Sequence, residues 1–199
     1  MRVTEIIPQK KGKVKVCLDD GSSFSLYQRE VTSYGLKEET DISDSDWKQL
    51  REEIFDLRAK KRAMHLLERM SRTESQLRQK LTGNGYPPES VEVAIAYVKS
   101  YHYIDDRRYA ESYIRFHQQQ KSRMQLKISL QQKGVSTDII DEAMEEAYEG
   151  NEEELIRKLL AKKHYNAEEM DRQEKHKIYQ FLMRRGFSVS AIRRCMDLY

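Results

Sequence analysis

A repeat of about 50 residues is the feature of this 199-residue chain that most constrains its fold. It recurs around three glycines, Gly85, Gly134 and Gly186. Leucine or isoleucine stands four and eight positions before each glycine, and further apolar residues follow each glycine at matching offsets. Repeats of this length build arrays of like units that pack on their neighbours. The sequence therefore predicts an array, which typically presents a long surface to a partner instead of enclosing a reaction.

Each repeat is predicted to contain three helices. The apolar spacing before each glycine gives one buried stripe on a helix. The glycine is predicted to end that helix at positive φ, because it lacks the Cβ that makes this conformation costly. The proline pair at 87–88, Ser136 and Ser188 then predict the start of the next helix. Upstream, residues 71–74 (Ser-Arg-Thr-Glu) predict a capping box with Ser71 as the cap.

The first 40 residues follow a period of two instead. Apolar and polar residues alternate from position 14 to 18, the turn pair Asp20-Gly21 follows, and the alternation resumes at Phe24 and Leu26. This pattern predicts a β-hairpin. A lone hairpin is only marginally stable in water, so residues 3–7 are the predicted third strand.

The predicted fold class is mainly α: a tandem array of three three-helix repeats with a small N-terminal β-hairpin module. Trp47, Leu50, Ile54 and Leu57 have the spacing of a helical stripe and predict a long helix that links the two parts. Only 38% of residues are hydrophobic and 35% are charged, so each repeat alone has a thin core and stacking is favoured. The predicted boundaries are 1–40 for the hairpin module, 41–62 for the linking helix, and 63–104, 105–150 and 151–199 for the repeats.

Composition predicts a reduced, cytoplasmic and monomeric protein. No apolar run is long enough to cross a membrane, and residues 1–13 lack the apolar stretch of a signal peptide. Two cysteines far apart in sequence, Cys17 and Cys195, do not make a disulfide framework.

Motifs that carry catalytic chemistry are missing from the sequence. The five histidines have no zinc-site spacing, and the chain has no phosphate loop, dinucleotide fingerprint or nucleophile elbow. The adjacent carboxylates Asp105 and Asp106 could suggest catalysis, but neighbouring residues on a helix do not face each other. At a helix start such residues serve as cap and dipole partner. We therefore predict no catalytic residues, no cofactor and no metal.

Contact with nucleic acid has more support, because the net charge of +3 conceals segregated charges. Residues 58–80 hold eight bases and two acids, whereas residues 141–154 hold eight acids and no base. Charge runs on helices are often only solvated surface, but basic groups at repeat spacing can align into a track for a phosphate backbone. The candidate contacts with nucleic acid or filament are Lys60, Lys61, Arg62, Arg69, Arg72, Arg78, Lys80, Arg107, Arg108, Arg115, Lys121, Arg123, Lys127, Arg184 and Arg185.

Tyrosines are numerous, and some of the twelve could stack on bases. Most, such as Tyr86, Tyr97 and Tyr113, fall in apolar stripes and are predicted to belong to the core instead. No helix-turn-helix or other base-reading signature is present, so sequence-specific readout is not predicted.

Three stretches of the chain resemble the RecX family of bacterial recombination regulators. Residues 63–81 resemble the family's "R-x-S/R-E-x-E-L" region, and residues 103–110 (Tyr-Ile-Asp-Asp-Arg-Arg-Tyr-Ala) are close to its "Y-L-D-D-x-x-Y/F-A" region. The third stretch is 126–134, which ends in Gln-Lys-Gly. Ser122-Arg123 departs from the family, which commonly carries a glycine after the basic residue.

The resemblance implies an all-helical array of three-helix repeats. It also implies a modulator of the RecA recombinase that binds the RecA–DNA filament, usually inhibits its strand exchange and ATP hydrolysis, and can touch single-stranded DNA. The family has no catalytic residues to carry over. The alternatives from the sequence are an autonomous, non-sequence-specific nucleic-acid-binding protein and a helical scaffold that binds only protein, with an enzyme as the most distant.

Overall fold

A computed structural model of the chain describes residues 1–197. These residues form two compact units that divide after Asp105. The first unit contains an antiparallel sheet of order β1-β2-β3, built from β1 (Val3–Pro8), β2 (Lys13–Leu18) and β3 (Ser23–Tyr27). The alternating apolar residues of β2 and β3 are buried, and Gly21 takes φ 81° in the hairpin turn. The predicted hairpin and its third strand are therefore confirmed.

Helices α1 (Gln28–Ser33) and α2 (Asp44–Leu50) follow the sheet, and a π-helical turn (Arg51–Phe55) joins α2 to α3 (Asp56–Arg69). The predicted stripe is wrong at its last position, because Leu57 is 52% exposed while Phe55 is 1% exposed. A π turn advances the chain by an extra residue. Leu50 is therefore followed on the buried face by Phe55, whose ring lies 5.3 Å from that of Phe24.

The first repeat consists of α3, α4 (Glu74–Thr82) and α5 (Pro88–Ser100), and Gly85 follows α4 at φ 80°. The predicted cap at Ser71 is wrong. Thr73 is the cap, since its buried side chain accepts a hydrogen bond from the Gln76 amide at 3.1 Å and the Gln76 side chain reaches back to the Thr73 amide. The chain is extended at Met70 (φ −168°, ψ 139°), so the new helix begins two residues later than predicted.

The second unit holds six helices among its described residues, in two sets of three. The second repeat contains α6 (Asp106–His117), α7 (Arg123–Gln132) and α8 (Thr137–Ala147). Gly134 follows α7 at φ 81°. Ser136 is the N-cap residue of α8 as predicted, but its side chain makes no capping hydrogen bond within residues 1–197.

The third repeat contains α9 (Glu152–Lys162), α10 (Arg172–Arg184) and α11 (Val189–Met196), with a longer connection between α9 and α10 than its counterparts have. Gly186 has φ 76°, and a Cβ there would lie 2.6 Å from the Cβ of Met124 on α7. Glycine is thus required here both for backbone conformation and for close approach of two repeats. Ser188 caps α11 through a 3.2 Å hydrogen bond from the Ala191 amide.

The three glycines confirm the predicted repeat, because each follows a helix and each has positive φ. Residues 60–197 contain no strand, as predicted. Within residues 1–197, no helix is both long enough and apolar enough to span a membrane.

Candidate nucleic-acid interface

A pocket of about 380 Å³ lies between the hairpin module and α3 in the first unit. Helix α3 contributes Arg58, Lys61, Arg62 and His65, whose spacing places them on one face of the helix. The sheet adds Lys13 and Tyr27, and Tyr86 adds a second aromatic side chain. Sequence reasoning selected Lys61 and Arg62 and counted Arg58 in the same basic run. It missed Lys13 and Tyr27, because strand and helix residues meet here only through the tertiary fold. We call this set of seven residues the hairpin pocket.

Three positively charged side chains lie close to the ring of Tyr27. The charged groups of Lys13, Arg29 and Arg58 lie 5.7, 5.7 and 5.0 Å from the ring centroid. Such contacts are favourable because the ring face is electron-rich. Arg58 is also ion-paired with Glu30, which leaves Lys13 and Lys61 as lysines of the hairpin pocket without an ion pair in residues 1–197.

Tyr86 forms the partly buried wall of the hairpin pocket. Its hydroxyl lies 3.4 Å from the Arg58 carbonyl oxygen and donates to it. Burial raises the pKa of Tyr86, although the nearby guanidinium groups of Arg58 and Arg62 oppose the shift. Arg62 is oriented by a 3.0 Å hydrogen bond from its Nε to the Asn84 side chain. The hairpin pocket therefore combines oriented cations with two tyrosine rings.

The remaining candidates of the first repeat differ in how available they are. Arg69 and Lys80 are exposed and have no ion pair within the described chain. Lys60 packs over the Tyr97 ring at 5.5 Å, and the Nε of Arg72 is buried without a hydrogen-bond partner in residues 1–197. Arg78 is paired with two carboxylates, those of Glu74 and Glu92. Lys60 and Arg72 are thus only partly accessible to a ligand.

Arg78 belongs to an ion-pair network across α4 and α5. It donates to Glu74 at 3.0 Å and to Glu92, and Lys99 donates to Glu74 at 2.7 Å. The hydrogen bond from Lys99, supported by Arg78, holds the pKa of Glu74 below its ordinary value. The expectation that Arg78 is an exposed contact for phosphate is therefore weakened, because its charge is already satisfied within the repeat.

Two tyrosines at the C-terminal end of α5 are exposed, unlike the partly buried Tyr86, Tyr97 and Tyr113. Tyr101 and Tyr103 are 58% and 49% exposed, and their rings stack with centroids 5.9 Å apart and planes 23° apart. Exposed aromatic rings are side chains on which bases of single strands can stack.

Cations of the second repeat mostly meet acids of the same repeat. Arg107 pairs with Glu111 at 3.2 Å and with Glu142 at 3.3 Å, and Lys127 pairs with Asp141 at 2.5 Å. Glu111 also lies 3.7 Å from the guanidinium of a further candidate, Arg115. The acidic run of residues 141–154 therefore neutralises predicted contacts on α6 and α7.

Two more candidates of the second repeat are held by a hydrogen bond or by packing on a ring. The two candidates of the third repeat differ in exposure. Lys121 donates to the Ser129 hydroxyl at 2.9 Å, and the Arg123 guanidinium lies 5.4 Å from the Tyr148 ring centroid. Arg108 and Arg184 are exposed. Arg185 stacks over Phe181 at 4.8 Å. Alignment of the three basic groups into one track across both units stays a prediction.

Comparisons with known proteins agree along the whole chain. Family models for RecX match in chain order, with the first three-helix domain at residues 59–98, the second at 105–144 and the third at 151–196. Regulatory protein RecX of Clostridium acetobutylicum is 33% identical over 96% of this chain and 92% of its own length. Its counterpart in Caldanaerobacter subterraneus subsp. tengcongensis is 29% identical over 100% of both.

Solved structures agree with these relatives. A crystal structure of a regulatory protein RecX matches with a TM-score of 0.67 and 27% identity, over 98% of each chain. A crystal structure of RecX from Lactobacillus salivarius, 24% identical, matches 72% of this chain and 97% of its own with a TM-score of 0.62, and supports the fold.

Proposed function

Because this chain belongs to the RecX family of regulatory proteins, we propose that it binds the RecA recombinase filament on DNA. In this proposal it is a non-enzymatic modulator that inhibits the filament's ATP hydrolysis and strand exchange during recombination and DNA repair. It acts as a cytoplasmic monomer. The relatives are named regulatory protein RecX. RecA as the partner and inhibition as the effect are parts of the proposal.

The observation that carries the DNA contact is the hairpin pocket. Its cations outnumber the acids paired with them, since Arg58 pairs with Glu30 and His65 lies 3.6 Å from Glu68, whereas Lys13, Lys61 and Arg62 have no ion pair in residues 1–197. Lysine and arginine bind phosphates without regard to sequence, and Tyr27 and Tyr86 offer ring faces beside them. This combination suits a nucleic acid, which offers both phosphates for the cations and bases that stack on the rings. An acidic protein surface offers carboxylates but no bases.

The perturbed pKa values of Tyr34, Glu53 and Glu74 follow from contacts within the first unit. A hydrogen bond to Glu53 raises the pKa of Tyr34 to about 12, and the same contact lowers the pKa of Glu53. The shift of Glu74 likewise follows from Lys99 and Arg78. Each of these shifts is accounted for by a surface contact within the fold, and none of these groups lines the hairpin pocket.

Inhibition requires a preference between states of the filament. A bound protein shifts an equilibrium only by its difference in affinity for the two states. We expect the protein to bind more tightly to the filament conformation that hydrolyses ATP slowly. Phosphates occupied by the hairpin pocket would also be withdrawn from contact with an incoming strand.

The test adds the full-length protein to a pre-formed filament of the cognate recombinase on single-stranded DNA. ATP hydrolysis and strand exchange should both slow in proportion to the protein bound. If saturating protein changes neither rate, the proposed function is wrong. Sedimentation of the free protein tests the monomer.

Exposed Tyr101 and Tyr103 favour a second candidate function, an autonomous single-strand-binding protein that needs no recombinase. Salt titrations of binding separate the two. An autonomous binder has the same affinity for DNA with and without recombinase, whereas a filament regulator binds the recombinase-coated strand more tightly.

A further inference from the structure

A second concave surface lies in the third repeat. Helices α10 and α11 line a groove of about 1110 Å³. Six basic side chains border it: Arg172, Lys175, His176, Lys177, Arg193 and Arg194. We call these six residues and Tyr179, which also lines the surface, the α10 groove.

Most of the cations in the α10 groove are not neutralised. Arg194 pairs with Glu153 at 2.8 Å. Arg172, Lys175, Lys177 and Arg193 have no ion pair within residues 1–197. On neighbouring α9, by contrast, lysine and arginine pair with glutamates one turn away. The α10 groove therefore concentrates positive charge that the described chain does not balance.

The two acids nearest in sequence are used elsewhere. Asp171 accepts a 2.8 Å hydrogen bond from the Glu174 amide, and Glu174 accepts a 3.1 Å hydrogen bond from the Asp171 amide. This reciprocal capping box satisfies the amides at the start of α10. Both carboxylates thus serve the helix end and do not line the groove.

Helix stability does not account for the bases either. The N-terminal end of a helix carries partial positive charge, so cations there are slightly unfavourable. Arg172 is the first residue of α10, and Lys175 lies within its first turn. These bases, like Lys177 just beyond them, are solvent-accessible to different degrees and are not required by the core. Their convergence on one groove points to an anionic ligand.

We infer that the α10 groove binds the phosphate backbone of single-stranded nucleic acid, as a second contact separate from the hairpin pocket. The volume slightly exceeds the range typical of small-ligand sites, which suits a few nucleotides. A flexible single strand can follow a concave surface lined by cations and an aromatic ring. Partly buried Tyr179 supplies a ring on which a base can stack.

The inference deepens the proposed function but needs no recombinase. The test therefore measures binding of a fluorescein-labelled oligothymidylate to the full-length protein alone, by anisotropy at several salt concentrations. The groove variant is Arg172→Gln/Lys177→Gln. The matched control is Lys158→Gln/Lys162→Gln on α9, which removes the same charge outside the groove. Circular dichroism verifies that both variants remain helical.

Two lost phosphate contacts should reduce the salt slope by about 1.4, because each contributes about 0.7 on a single strand. Affinity at 0.1 M salt should fall about 25-fold in the groove variant, because a slope change of about 1.4 amounts to about 25-fold over one tenfold step in salt concentration. The control should keep its slope.

Three results would overturn the inference: a wild-type protein that does not bind the oligonucleotide, equal losses in both variants, or a groove variant that binds like the wild type. The third result, together with a loss of affinity for the recombinase filament, would assign the surface to a protein partner. None of these outcomes decides the proposed function, which depends on the wild-type effect on ATP hydrolysis.

Discussion

The basic residues of the first repeat and those of the second differ in what faces them across the helix bundle. Lys61 and Arg62 on α3 face a pocket shared with Lys13 and two tyrosines. Arg107 and Lys127 face the acidic residues of α8. Arg107 and Lys127 are therefore ion-paired, whereas Lys61 and Arg62 have no ion pair in residues 1–197. The number of bases in a segment therefore does not locate an interface, because the neighbouring helix decides whether they are neutralised.

Ion pairing in the second repeat has a small effect on stability and a large effect on the attraction of its cations for phosphate. Exposed ion pairs such as Arg107–Glu142 contribute about 0–1 kcal/mol to stability. Each nevertheless places a negative charge beside the cation, which cancels its attraction for a phosphate over distances longer than the pair. Neutralising the second repeat should thus affect binding far more than folding.

The largest expected effect comes from removing cations of the first repeat. Lys61→Gln/Arg62→Gln should lower affinity for an oligothymidylate about 25-fold at 0.1 M salt, because two single-strand phosphate contacts are lost. The matched variant Arg107→Gln/Lys127→Gln should change affinity little. Anisotropy titrations over a range of salt measure both, and equal losses in the two variants would remove the distinction between the repeats.

A smaller effect is expected from the exposed tyrosine pair of the first repeat. Tyr101→Leu/Tyr103→Leu should lower affinity for the same oligonucleotide about 5-fold or more, since one stacked base contributes about 1–3 kcal/mol. The control Tyr101→Phe/Tyr103→Phe keeps the rings and should bind normally. In the second repeat the rings of Tyr109 and Tyr113 also stack, but both are partly buried. An unaltered leucine variant would show that the exposed pair takes no part in binding.

The difference between the two repeats can also be reduced, by removing acids of the second repeat instead of bases. Asp141→Asn/Glu142→Gln releases Lys127 and removes one of the two carboxylates paired with Arg107, which keeps its pair with Glu111. Affinity for the oligonucleotide should then rise by about 3-fold, as released cations begin to attract phosphate. Glu145→Gln/Glu146→Gln is the control, because it removes the same charge from exposed positions that have no ion pair in residues 1–197. Equal gains in the two variants would mean that net charge, and not pairing, sets the affinity.

The smallest expected effect is a pH dependence within the second repeat. Burial, followed by the charges of Lys121 and Lys133, lowers the pKa of His117. The unfolded chain, with a histidine pKa of about 6.5, therefore takes up the proton more readily. The stabilising contribution is complete above that pH and is lost as pH falls below it. Urea unfolding at pH 7 and pH 5 should show a smaller loss in His117→Gln, and an identical loss would exclude this residue as the cause.

Local patterns predicted most of the fold. The three positive-φ glycines, the hairpin turn and the Ser188 cap depend on a few neighbouring residues, so the sequence is sufficient to find them. The π turn was missed because it is stabilised by the packing of Phe55 against Phe24, which lies on a strand distant in sequence. The cap was misassigned because residues 71–74 and 73–76 both fit the capping-box pattern, and burial of Thr73 decides between them.

The candidate site was less predictable than the fold. Lys61 and Arg62 were found because they lie in a dense basic run. Lys13 and Tyr27 were missed because each is unremarkable in its strand and joins the hairpin pocket only when the sheet packs beside α3. Arg78 stays a candidate contact, and its ion pair with Glu92 on the next helix likewise depends on the tertiary fold.

The most direct test of the account is the rate of ATP hydrolysis by the cognate recombinase on single-stranded DNA. Wild-type protein and Arg107→Gln/Lys127→Gln should both slow hydrolysis, and Lys61→Gln/Arg62→Gln should slow it much less at the same concentration. Unchanged hydrolysis with the wild type, or equal inhibition by all three proteins, would contradict a regulator that acts on the filament through the first repeat.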